Sequence, residues 1–509
     1  MAAIITSKFR LDSTNKFVES LSDNQFYMAL GRPNAWTPSD AVPDTPYEND
    51  YASNTLWENM FAMKRVDAAD IVHSSPRNLW VSGTTYIEYD DRDTNIESKK
   101  YFVISENNNV YMCLRAGAGA STTNPDNVGV QTSGVIGSVS TNDGYIWKYM
   151  YTVPATDVTK FLTSSFMPVR HLKEQPAVGA DAGLTAQWAV QSNAIDGAIY
   201  NLKITTAGVG YTAAPTITIS GDGQNAAATC TVSGGAINSV TMTNIGTGYR
   251  HATITLTTSG SSTAATLRPV IGPVGGYGAN PTNDLRSHYV TVNTVFTGDE
   301  SGSIPDSNDF RQIAVLKNPI EKATETATLS ASGSMVSGNF YKILTIGTST
   351  DAHWVTAGST SGNPVVGEVF KAIATTSSGS GTIAQIAEAS AYNACKSVTI
   401  PAGLSGTYVA DFAFEGHTSG TVGAKGIVVE YNNSTGVLHY IQNETTGFGT
   451  FLATHFTRAT GSAGAGNDIT AVADPLVNHH SGDVMFIENR TATTRAAGQV
   501  ETVRLVIAF

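Results

Sequence analysis

The residue types with the most chemical potential lie together near the C-terminus, in His479-His480-Ser481-Gly482-Asp483. This run brings bases, a nucleophile and an acid within one short stretch of chain. Hydrolytic catalysis requires such side chains to converge through defined hydrogen bonds, which adjacency in sequence does not provide. No His-Glu-x-x-His and no Gly-x-Ser-x-Gly accompanies the run. A glycosidase carboxylate pair leaves no local motif, and nothing in the sequence selects one. A second cluster, Asp90-Asp91-Arg92-Asp93, has calcium-ligating types without a full ligand loop, so a solvated loop carrying its own arginine is expected. The glycine-rich stretches contain no Gly-x-x-x-x-Gly-Lys-Ser/Thr. Their Gly-x-Gly-Tyr turns join strand-like segments, where glycine supplies positive φ at little cost. The sequence therefore assigns no catalytic, cofactor-binding or metal-binding residue, and a protein that is not an enzyme is expected.

Bulk properties narrow the setting. A chain of 509 residues implies roughly three or four domains, or one core carrying inserts. Only 14% of residues are charged, against about 25% in an average domain, while glycine, threonine, serine and alanine are abundant. That balance suits β-rich proteins, whose turns need glycine and whose strand faces tolerate threonine. The net charge of −12, with no basic stripe to offset it, argues against binding nucleic acid. Cys113, Cys230 and Cys395 are far apart, odd in number and without Cys-x-x-Cys spacing, which predicts reduced thiols made in a cytoplasm. No apolar run approaches the roughly 20 residues of a membrane span, so no membrane insertion is expected. The opening Met1 to Lys8 lacks the order of a signal peptide.

The elements that would position any site read as mainly β. Residues 17–28 and the run Thr55 to Val66 suggest short helices in an otherwise β setting. From Tyr145 to Val153 the chain alternates, predicting a strand with Tyr145, Trp147, Tyr149 and Tyr151 on one face and Ile146, Lys148 and Met150 on the other. Packing of that aromatic face in a core is the expectation, ahead of packing on a partner. Beyond residue 176 a repeat appears. Gly197 to Tyr211 recurs as Gly235 to Tyr249, at an offset of about 38 residues, each copy a strand, a Gly-x-Gly-Tyr turn and a second strand. Two copies suit a small β module better than an open solenoid. Later, Gly426 to Ile441 shows two alternating strands around Asn432-Asn433-Ser434-Thr435-Gly436, a hairpin signal. The final strand places Val503, Leu505, Ile507 and Phe509 on one face. The organisation expected is a β-sandwich core with short helices and two inserted β-rich modules. The core is expected in three segments, 1–177, 286–322 and the C-terminal strands 479–509. Between them lie an inserted β-repeat module, 178–285, and a second insert of two small β modules, 323–478. Each insert is expected to be removable from a folded core.

Several segments together carry a family likeness. They are Thr6-Ser7-Lys8-Phe9-Arg10, Leu30-Gly31-Arg32-Pro33-Asn34-Ala35-Trp36, Gly144 to Pro154, Asp309 to Glu321, and His480 to Arg490 with the strand Val503 to Phe509. In order and spacing, apart from two large insertions, this series resembles the baseplate wedge proteins of T-even-like contractile-tailed bacteriophages, the gene-eight product family. The resemblance covers a little under half of the chain. It implies a structural virion protein with a β-sandwich core, forming a homodimer and contacting other baseplate wedge subunits, with a role in baseplate rearrangement on contraction. The location implied is the tail baseplate of a virion assembled in the host cytoplasm. Arg32, Arg77, Arg311 and Arg490 fall in or near these segments. They are candidates for fork-shaped contacts to carboxylates across subunits, with intramolecular ion pairs or plain exposure as the alternatives. Two other classes fit the composition: a tail receptor-binding or decoration protein, and a tail-associated glycan depolymerase, for which the repeat is short.

Overall fold

The computed structural model describes residues 4–36, 38–43, 49–128, 138–257, 263–322, 324, 327–404, 406–418, 420–460 and 466–509. Ala323, the expected start of the second insert, and the first three residues lie outside this set. The mainly β class expected from the sequence holds: antiparallel sheets dominate and the helices are few and short. By contacts the chain forms two units. One comprises Met1–Lys16, Val72–Thr291 and Val506–Phe509; the other comprises Phe17–Ile71 and Val292–Leu505.

The first unit contains a four-stranded sheet in the order Phe102–Ile104, Asn109–Arg115, Ile146–Thr152, Ser138–Ser140. Both of its faces are covered. Tyr86, Val103, Tyr111, Cys113, Val139, Tyr145 and Trp147 form a core on one side. Tyr101, Phe102, Met112, Met150 and Tyr151 pack on the other with Ala198, Tyr200, Val270 and Tyr277. The expected single aromatic face is corrected here. Tyr111 pairs with Tyr149 but Val110 pairs with Tyr151, so Met150 is an extra residue in the ladder. Such a bulge reverses the alternation and delivers Tyr151 to the opposite core.

The repeat folds as two interlocked halves within the same unit. The strand Thr216–Gly221 pairs antiparallel with the strand Ala252–Thr257, with Thr218 opposite Thr255 at the centre. The first strand of each copy pairs with the last strand of the other: Ile199–Thr206 with Thr266–Ile271, and Ala236–Thr247 with Gln224–Ser233. Tyr211 Oη accepts from Ala265 N–H at 2.7 Å, and Tyr249 Oη accepts from Ala226 N–H at 3.3 Å. The glycines before these tyrosines are required by close approach. A Cβ on Gly208 or Gly246, both at positive φ, would lie 2.7 Å from those same amide nitrogens. Ile199, Leu202, Tyr211, Ile237, Val240, Tyr249 and Leu267 form the core of this module.

The second unit is built on a five-stranded antiparallel sheet in the order Ala391–Asn393, Met60–Val66, Phe26–Gly31, Asp309–Lys317, Asp483–Thr494. The expected helix over 55–66 is corrected by this sheet. Asn49 caps the helix Asp50–Asn59 by accepting from Ala52 N–H, but the chain turns extended at Met60. Met60, Phe61, Ala62 and Met63 are fully buried between two strands, and that burial outweighs their local helix propensity. A four-stranded sheet around Phe340–Thr345, covered by Trp354, and a seven-stranded sheet containing Thr421–Tyr431 complete the unit. The predicted hairpin is present: Val437–Ile441 returns along Thr421–Tyr431, and the Asn432 side chain accepts from the Ser434 and Thr435 amides.

Candidate functional site

The His479 to Asp483 run forms the turn that leads into the edge strand Asp483–Thr494, with both imidazoles beside Trp57 and their centroids 6.2 Å apart. His479 Nε2 donates to the Ala394 carbonyl at 2.7 Å, and its ring lies 5.9 Å from that of Trp57. Burial lowers the His479 pKa, which favours a neutral imidazole. Ser481 Oγ donates to the Asn478 carbonyl at 2.5 Å and accepts from Ile320 N–H at 2.9 Å. Gly482 has φ +74°, and a Cβ there would sit 2.5 Å from the Lys317 carbonyl. Asp483 enters the ladder opposite Lys317. The hydroxyl thus holds two backbone segments together, and neither histidine engages it.

Beside this turn is a cleft of about 290 Å³ lined by Glu58, Lys322, Lys396, Gln442, Asp474 and both histidines, among others. Lys396 donates to Gln442 Oε1 at 2.9 Å. Burial, and next the nearby Glu444, raise the Glu58 pKa, while His480 opposes the rise. The lining mixes both signs of charge and can take polar groups. It presents no nucleophile with a base in hydrogen-bond contact.

Asp90 is not in a solvated loop, which corrects the expectation for the acidic cluster. It is 8% exposed. It receives Arg268 Nη2 at 2.5 Å and Lys203 Nζ at 3.0 Å, from residues 178 and 113 positions along the chain. Asp91 takes the other Arg268 nitrogen at 3.2 Å, and Asp93 is paired with Lys99. Burial disfavours the Asp90 anion, but Arg268 and the other donors outweigh it and hold the pKa near about 2. The carboxylates therefore clamp the strands at the root of the repeat module. Among the described residues no group of three or more His, Cys, Asp or Glu is arranged to hold a metal ion. The three cysteines are free thiols, Cys113 and Cys395 buried.

The four arginines have separate fates. Arg77 donates to the Thr163 carbonyl at 3.0 Å. Arg311, 5% exposed, sets its Nε 2.9 Å from both oxygens of Asp40 and an Nη 3.1 Å from Asp309, and it donates to the Pro33 carbonyl. Asp411 lies 3.8 Å from the same guanidinium. Burial pushes the Asp411 pKa up to about 6 although Arg311 pulls it down. Arg311 is therefore an internal tie. Arg32 and Arg490 instead lie against rings, Arg32 Cζ 4.7 Å from the Trp36 centroid and Arg490 Cζ 5.6 Å from that of Phe310. Asp309 stands two residues before Arg311 on the same strand, but Asp40, 271 positions away, carried no signal in the sequence.

These features define a mainly β protein whose polar clusters tie distant chain segments together. No protein-family model matches the chain. Among curated proteins, it is similar to the baseplate wedge protein gp8 of Enterobacteria phage T4, with 25% identity over 248 residues covering 40% of this chain and 71% of gp8. No helix among the described residues is long and apolar enough to cross a membrane.

Proposed function

We propose that this chain is a structural subunit of a phage tail baseplate wedge. In this reading it is a dimeric scaffold that links neighbouring wedge proteins and takes part in baseplate rearrangement when the tail contracts. The similarity to gp8 across most of that protein's length is the observation that carries the reading. The architecture supports it. Leu30-Gly31, Asp309–Lys317 and Asp483 to Arg490, all from the family-like segments, lie in one sheet. Residues 207–265, within the expected 178–285, and the parts of 323–478 outside the sheet strand Ala391–Asn393 are then additions to a wedge core. Separate apolar clusters around Tyr211 and Tyr249, around Trp354, and around Phe414 and Tyr440 suit inserted modules.

The test is location. Particles carrying an epitope-tagged copy should bind gold-labelled antibody at the baseplate, and label confined to the tail tube, the fibres or the unassembled fraction would overturn the reading. Light scattering should return twice the 53.5 kDa chain mass. A stable dimer of this kind buries upward of about 2,000 Å². A monomer at micromolar concentration would remove the dimer from the proposal.

A further inference from the structure

The cleft beside the His479 turn combines polar groups held by the fold with an exposed aromatic ring. Glu58 and Asp474 bring two carboxylates to its lining, and Lys322 and Lys396 bring two ammonium groups, so the formal charges sum to zero. The Gln442 amide nitrogen donates to the Lys425 and Gly449 carbonyls at 2.8 and 2.7 Å. That fixes the amide oxygen where it accepts from Lys396 at 2.9 Å, a bond that takes one of the three donors of the ammonium. His479 gives its Nε2 proton to the Ala394 carbonyl, so the neutral ring keeps Nδ1 as an acceptor. Phe448 adds an apolar wall to this polar lining and is 58% exposed.

We propose that this cleft binds a neutral pyranose sugar. A sugar hydroxyl both donates and accepts, which matches a lining of ammonium donors with carboxylate and imidazole acceptors. Bonds to such charged groups are the stronger kind of hydrogen bond. The C–H face of a pyranose is apolar and suits the Phe448 ring. The volume of about 290 Å³ stands at the lower end for small-molecule sites, about 300–1,000 Å³, and accommodates one ring. The balanced charge disfavours the other polar ligands of this size. An anion would meet Glu58 and Asp474, and a cation would meet Lys322 and Lys396, each a like-charge contact. Because Lys396, Gln442 and His479 are already tied down, little side-chain freedom is lost on binding. The proposal follows from the lining alone and does not depend on the baseplate reading.

The full-length protein is titrated by saturation-transfer NMR with glucose, galactose and N-acetylglucosamine, and with their methyl glycosides, which imitate the end of a glycan. Glucuronate, glucosamine and the zwitterion glycine serve as charged competitors of similar or smaller size. At least one neutral sugar should bind, with glucuronate and glucosamine about tenfold weaker or more. Methyl glycosides that bind as well as the free sugars identify a glycan end as the source, and their exclusion identifies the free sugar. Phe448 and Asp474 are both exposed, so their replacement spares the core. Phe448→Ala should weaken sugar binding about tenfold by removing the apolar wall. Asp474→Asn should weaken the neutral sugar and at the same time improve glucuronate relative to it, a reversal that a merely structural role would not produce. Lys16→Gln should leave every titration unchanged. The proposal is overturned if no neutral sugar binds, if a charged sugar or glycine binds more tightly than the neutral ones, or if Phe448→Ala and Asp474→Asn bind as the parent does. Antibody label away from the baseplate would defeat the scaffold reading and leave the outcome of these titrations untouched.

Discussion

Truncating Trp147 tests whether the aromatic strand is a core element or a surface waiting for a partner. The residue is 0% exposed. Its ring stacks on Tyr145 with centroids 5.5 Å apart and meets Tyr86 edge-on at 5.6 Å. Trp147→Ala returns roughly 200 Å² of apolar surface, worth about 5 kcal/mol at about 25 cal/mol per Å². The two ring pairs add about 0.5–1.5 kcal/mol each. One contribution runs the other way: the indole N–H is buried with no hydrogen-bond partner, and removing it relieves about 1–3 kcal/mol. The net expectation is a loss of about 3–7 kcal/mol, whose lower part is the usual range of about 3–5 kcal/mol for truncating a buried tryptophan. Trp147→Phe is the discriminating control. It keeps an aromatic ring, drops the unpartnered N–H and leaves only a small void, so its cost should stay near about 1 kcal/mol. Urea unfolding followed by far-ultraviolet circular dichroism measures both. The reasoning is refuted if Trp147→Ala lies within about 1 kcal/mol of the parent, or if Trp147→Phe costs as much as Trp147→Ala.

Asp284 provides a pH test: burial raises its pKa to about 8, against hydrogen bonding from Gly278 N–H and the pull of Arg286. The folded state holds this proton after the unfolded chain has lost it, so stability falls as pH rises from about 4 to about 8, by about 1.4 kcal/mol per unit at most. Asp284→Asn should flatten that slope in urea titrations and exceed the parent in stability at pH about 8; an unchanged slope would refute it. Replacing Ala207–Ala265 by an Asn-Gly turn joins Thr206 to Thr266, which already face each other across the stem, and should leave the remaining melt intact. Removing 178–285 takes Tyr200, Val270, Tyr277 and Leu285 out of a shared core and Lys203 and Arg268 out of the acidic clamp. That deletion should abolish cooperative melting of the first unit, and equal melts for the two deletions would refute this boundary. Ser481→Ala should cost about 1–2 kcal/mol by orphaning Ile320 N–H, with no esterase or glycosidase turnover to lose. Turnover that vanishes in this variant would reverse the structural reading of the turn.

Local pattern was enough for the elements whose stability is local. Alternation marked the strand through Trp147, the Asn432 turn marked its hairpin, and the Gly-x-Gly-Tyr repeats marked paired copies, because strand faces and turn φ angles constrain residues a few positions apart. Order and spacing of short segments also carried the likeness to baseplate wedge proteins. Other features depended on residues far away in the chain. Met60–Val66 is a strand because Phe26–Gly31 and Ala391–Asn393 flank it. Tyr151 changes face because its partner strand tolerates one extra residue at Met150. Asp90 is a buried clamp and Arg311 an internal tie, while Arg32 and Arg490 rest on rings, because of which groups the fold brings within reach. A side chain's type is written in the sequence, but its solvation and its partners are set by convergence of distant segments, and those decide whether a charge holds the fold together or remains available to another molecule.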